Sequence, residues 1–145
     1  DYERNISICK DGSVWVTEGD SANVFPGLIE TMTEGTTLKG SYSYHNHPKN
    51  ETYFSFSADD VAFFISYGER FAMASDYMYE YFMQRLDDTV EMAYDDVKHL
   101  FKDIQTTHTR ELTFNRKIDP DIDEYHATME EVQRRLHFKY WRVKK

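Results

Sequence analysis

The stretch Ser41–Val61, SYSYHNHPKNETYFSFSADDV, decides how this chain is read. Up to His47, tyrosines and serines alternate with the histidines, the period-2 pattern of a strand. Pro48 closes that strand, because proline cannot donate to a continuing ladder. From Ser57 the period changes, and Val61, Phe64 and Ile65 recur at helical spacing. On a strand, residues two apart project from one face, so His45 and His47 point the same way, about 7 Å apart at Cα. Two imidazoles so placed converge on one metal ion. Asp60, in the first turn of the following helix, offers a carboxylate as third ligand, which leaves the open position of a catalytic zinc site. The nine residues from Pro48 to Phe56 provide the length for the chain to fold back. A second reading stands beside this one. Ser57-Ala58-Asp59-Asp60 has the form of a capping box, and acids are favoured at a helix N-terminus without any metal.

Working outward, residues 5–17 read as a hairpin, with Ile6 and Ile8 alternating on one arm, Val14 and Val16 on the other, and Asp11-Gly12 at the turn. Residues 24–34, VFPGLIETMTE, suit a short helix with Pro26 near its start and Gly35 after its end. Beyond Gly68, which stops the helix opened at Ser57, residues 71–86 predict two more strands about Ser75-Asp76. Val90, Ala93, Tyr94, Val97, Leu100, Phe101 and Ile104 then form the stripe of an amphipathic helix. A polar link over 106–119 follows, and Asp119-Pro120 opens a last helix carrying Ile122, Tyr125, Met129, Val132 and Leu136 on one side. The expected organisation is an α+β body, residues 1–86, and a C-terminal helical extension, residues 87–145.

Composition excludes several classes. A net charge of −9 argues against binding a phosphate backbone, so no nucleic-acid partner is expected. The single cysteine, Cys9, rules out a disulfide framework and a thiolate-rich zinc site. With no apolar run of about 18 residues, no membrane partner is expected, and a cytoplasmic location is the expectation. His99, His108, His126 and His137 have no partner at metal-ligand spacing.

HNHP followed by FSADD resembles the motif of the JAMM (JAB/MPN) zinc metallopeptidases, H-x-H-P, a spacer and S-x-x-D, in the manner of the RadC-like and prokaryotic or phage branches. The resemblance covers about residues 1–86. It implies an α/β sandwich of the cytidine-deaminase-like kind, with zinc held by His45, His47 and Asp60. It further implies that Ser57 stabilises an oxyanion and that an upstream glutamate acts as general base. Glu3 matches that glutamate in RadC-like sequences, and Glu18, Glu30 and Glu34 are its rivals. The spacer from His47 to Ser57 has nine residues, against about seven in the usual pattern. The function so implied is hydrolysis of a peptide or isopeptide bond in a peptide or protein substrate. The alternative is a non-catalytic JAB-like assembly module of a larger phage or toxin-associated protein. A nucleic-acid-processing role, by analogy with the RadC branch, is opposed by the negative charge.

Overall fold

The structure is a computed structural model and describes residues 3–18 and 38–145. The helix expected over 24–34, with Glu30 and Glu34, lies outside the described residues. Asp11 builds the first turn. Its Oδ1 accepts from the Ser13 backbone N–H at 2.9 Å and from the Ser13 hydroxyl at 2.6 Å. Gly12 takes φ +88°, a value that glycine adopts without a Cβ penalty. Strands β1 (Arg4–Ile8) and β2 (Val14–Glu18) pair antiparallel across this turn.

Strand β3 (Tyr42–Asn46) pairs antiparallel with β1, setting His45 opposite Asn5. Helix α1 (Ala58–Ser66) returns the chain to β4 (Phe71–Ser75), which runs parallel to β3. Strand β5 (Tyr79–Gln84) turns back beside β4. Helix α2 (Tyr94–Ile104) follows, then a π-helical turn over Gln105–Thr109, a short helix α3 (Arg110–Phe114) and helix α4 (Glu124–Leu136). Strand β6 (Lys139–Lys144) completes a six-stranded sheet in the order β2-β1-β3-β4-β5-β6. The class is α+β. The main core lies where α1, α2 and α4 cover β4, β5 and β6, with Phe56, Phe64, Tyr81, Phe101, Met129 and Leu136 among its buried members.

Two expectations need correction, and the first hairpin, present as expected, adds a finding. The extension over 87–145 is not wholly helical, since residues 139–144 pair with β5 over six positions. In sequence the ending HFKYWRVKK, residues 137–145, shows mainly a basic charge, and its partner strand lies more than fifty residues away. The link over 106–119 is helical over 106–114, nine of its fourteen residues. Thr106 and Thr107 donate their hydroxyls to the carbonyls of Lys102 and Asp103 at 2.9 and 2.6 Å, and buried Thr109 meets Thr128 at 2.7 Å between hydroxyl oxygens. Polar composition there marks side chains that bond back to the helix rather than a loop. Finally, the alternation in the first hairpin is real, but its polar side is the buried one. Glu3, Asn5 and Ser7 are buried, whereas Ile6 and Ile8 are 37% and 47% exposed. A polar interior strip is tolerated only if its groups find partners. Here Asn5 donates to Ser7 at 2.8 Å, and Ser43 on β3 donates to Glu69 at 3.2 Å.

Candidate metal centre

The site forms at the carboxyl end of β3, where the chain leaves the sheet and α1 begins. Both histidines sit beside the inner, polar strip. Their ring centroids are 4.9 Å apart, and His45 meets Phe56 edge-on at 6.0 Å. The backbone N–H of His47 donates to Ser75 across the β3–β4 pair at 2.8 Å, which fixes its main chain.

Getting Asp60 there requires the spacer to fold back. A single 3-10 turn, Lys49–Glu51, follows Pro48. Two residues then take left-handed backbone, Tyr53 at φ +73° and Ser55 at φ +50°. Each costs about 1–3 kcal/mol in a non-glycine residue. Anchors from three directions hold them. Tyr53 N–H donates to Asp76 at 2.8 Å, Phe54 packs on Tyr125 at 5.2 Å, and the Ser55 and Tyr140 hydroxyls meet at 2.9 Å. The spacer between the histidines and Ser57 therefore rests on the β4–β5 turn, α4 and β6, and the C-terminal elements shape the site.

At Ser57 both readings of the tetrapeptide hold together. Ser57 Oγ accepts from Asp60 N–H at 3.2 Å, and Ser57 N–H donates to Asp60 Oδ2 at 2.8 Å, a complete capping box. The same Asp60 Oδ2 is 3.5 Å from His45 Nε2. One atom each of His45, His47 and Asp60 lies within 4.8 Å of the others, a group that could hold a metal ion. It is the one such group among the described residues. Asp59 is directed elsewhere: its Oδ1 accepts from Tyr94 at 2.5 Å and pairs with Lys98 at 3.0 Å, fastening α1 to α2.

The electrostatics match a cation. His45 Nε2 and His47 Nε2 are buried and have no hydrogen-bond partner among the described residues. Buried polar nitrogens are normally satisfied, so two unpartnered imidazole nitrogens in one group with a carboxylate are a place where a cation would fit. Burial opposes a charge on His45, but the nearby carboxylates, Asp60 foremost and then Glu3 and Glu69, together outweigh it and raise the imidazole's pKa. Asp60 is the mirror case. Burial favours its neutral form, and the facing histidines and the Ser57 N–H reverse that, bringing it down to about 2. A proton on His45 and a metal ion thus compete for the same electrons.

Glu3 is buried at 4% exposure, and its Oε1 lies 3.9 Å from His45 Nε2. Strand pairing places it there, two residues before Asn5, which faces His45. Glu18 instead faces outward, paired with Arg4 at 3.2 Å and 62% exposed. His99, His108, His126 and His137 are not part of the group.

Sequence reasoning missed two acids. Glu51 contacts His47, its Oε2 3.3 Å from Nδ1. Glu69 lies under the site, lining a cavity of about 10 Å³ with Asn5, Ser43, His45 and Asp60. Its position four residues after His47 hints at Glu51, but Glu69, in the turn before β4, leaves no signal. Burial raises the Glu69 pKa from 4.5 to about 7, a rise that its Ser43 hydrogen bond only partly offsets. A carboxyl whose folded-state pKa is raised stabilises the fold fully below its unfolded value. That contribution is lost as pH rises through the folded value. The lost part is on the order of 3 kcal/mol, at ~1.36 kcal/mol per pKa unit. In metal-stripped protein, Glu69→Gln should therefore gain on wild type between pH 5 and pH 8 in urea unfolding. A gap between the two curves that stays constant with pH would contradict this account.

Comparison of the chain with protein-family models, with curated proteins and with solved structures gave no match. No helix among the described residues is long and apolar enough to cross a membrane.

Proposed function

We propose that this chain is a zinc-dependent hydrolase of a peptide or isopeptide bond, of the JAMM type, with zinc on His45, His47 and Asp60. The observation that carries the reading is the buried Glu3 carboxylate 3.9 Å from the Nε2 of a histidine that is itself grouped with His47 and Asp60. Two imidazoles and one carboxylate are a donor set typical of catalytic zinc. Bound there, zinc supplies Lewis-acid polarisation of a carbonyl and makes water acidic near neutral pH. Glu3 takes a proton from the attacking water at Oε1 and returns it to the leaving amine, the task of a general base that becomes an acid. Ser57 accepts from Asp60 N–H through Oγ, and its own hydroxyl proton serves as the donor to the oxyanion. Asp60 carries two duties at once, holding the start of α1 and offering a carboxylate to the ion.

The second reading, a non-catalytic JAB-like module with a structural ion, is favoured by the burial of the imidazoles, 6% exposed for His45 and 5% for His47. Incubation of zinc-loaded protein with linear and isopeptide-linked substrates separates the two. The enzyme reading expects cleavage that a chelator stops and added zinc restores. Stoichiometric zinc with no cleavage of either class selects the module.

A further inference from the structure

We propose that Glu51 is the positioning residue of this site: its carboxylate holds His47 as the Nδ1–H tautomer and so presents the Nε2 lone pair to the metal. The inference rests on the metal reading for its purpose, but the tautomer stands or falls independently.

A carboxylate accepts hydrogen bonds and donates none, so the 3.3 Å contact requires the proton of neutral His47 to sit on Nδ1. A neutral imidazole has one such proton, which leaves Nε2 bare. That nitrogen is buried without a hydrogen-bond partner among the described residues. The other tautomer would bury an N–H with nothing to receive it and set two lone pairs against a carboxylate. Geometry explains why Glu51 does this. Pro48 opens the short turn, Glu51 N–H donates to the Pro48 carbonyl at 2.8 Å, and the side chain is carried back over the ring. Both side chains are largely shielded, His47 at 5% and Glu51 at 14% exposure, so water competes weakly for the contact. Acceptors behind metal-binding histidines set ring orientation and ligand basicity, and their removal typically costs about 10–100-fold in metal affinity. Glu51 is a positioning residue and touches neither ion nor substrate.

Three variants test it: Glu51→Ala, Glu51→Gln, which keeps a neutral acceptor, and Glu51→Met, which keeps bulk without one. Two readouts are used. Long-range nitrogen–proton NMR of metal-stripped protein with neutral imidazoles reports the tautomer. Competition against a zinc chelator reports affinity. Wild type and Glu51→Gln should show the Nδ1–H form, whereas Glu51→Ala and Glu51→Met should shift toward Nε2–H. Zinc affinity should fall about 10–100-fold in the Ala and Met variants and only a fewfold in Gln. A wild-type protein already in the Nε2–H form overturns the proposal. So does an unchanged tautomer and unchanged zinc affinity in both Ala and Met. If wild type takes up no zinc, the metal reading fails, and the tautomer shift alone still decides Glu51.

Discussion

On the proposed zinc reading the wild-type chain should bind one metal ion per molecule, and His45→Ala and His47→Ala should each lose it. Structural zinc sites with four ligands are worth about 10–16 kcal/mol, so each ligand accounts for roughly 3 kcal/mol, about a hundredfold or more in affinity. Removing one of three protein donors should leave too little to survive purification. Elemental analysis and a chelator titration read this directly, with circular dichroism showing that the variants fold. Asp60→Asn should weaken binding markedly, because the amide oxygen is a neutral donor. Asp59→Asn should not, because Asp59 is engaged with Tyr94 and Lys98. Binding should also weaken as pH falls, beginning above pH 6.5, since the surrounding acids overcome burial and raise the His45 pKa from that value, and a proton then takes the place of the ion. Full retention of metal in both histidine variants would remove the site as assigned.

Glu3→Gln should keep zinc and fold while turnover drops by about 10²–10⁴-fold, the usual cost of losing a general base. The amide has nearly the carboxylate's shape and fits the same buried position beside His45. It cannot take a proton from water. The effect should fall on kcat, with substrate binding little changed, because in the proposed mechanism the carboxylate acts on the proton in flight. Glu18→Gln is the matched control. Its side chain is outward, exposed and paired with Arg4, so activity should remain within about twofold of wild type. Normal turnover in Glu3→Gln together with loss in Glu30→Gln or Glu34→Gln would move the base to one of those residues and leave the metal assignment in place.

Local chemistry made part of this molecule legible before any coordinates. Asp11-Gly12 demands a tight turn, Pro48 ends a strand, and Ser57 with Asp60 starts a helix, each through contacts within four residues. The same-face placement of His45 and His47 follows from the strand period alone. Hence β1, β2, β3 and α1, and the trio His45, His47 and Asp60, could be read in order along the chain. Tertiary structure decided the rest, because those features depend on which distant segments meet. Pairing of β1 with β3 brings Glu3 to His45 across more than forty residues. Placement of β6 beside β5 turns a basic tail into an edge strand and sets Tyr140 against Ser55. The turn after Pro48 puts Glu51 behind His47. The polar face of the first hairpin goes inside, where Asn5 donates to Ser7 and Glu3 lies beside His45, a choice that alternation cannot make, since a period of two marks two faces and does not say which one the fold will cover.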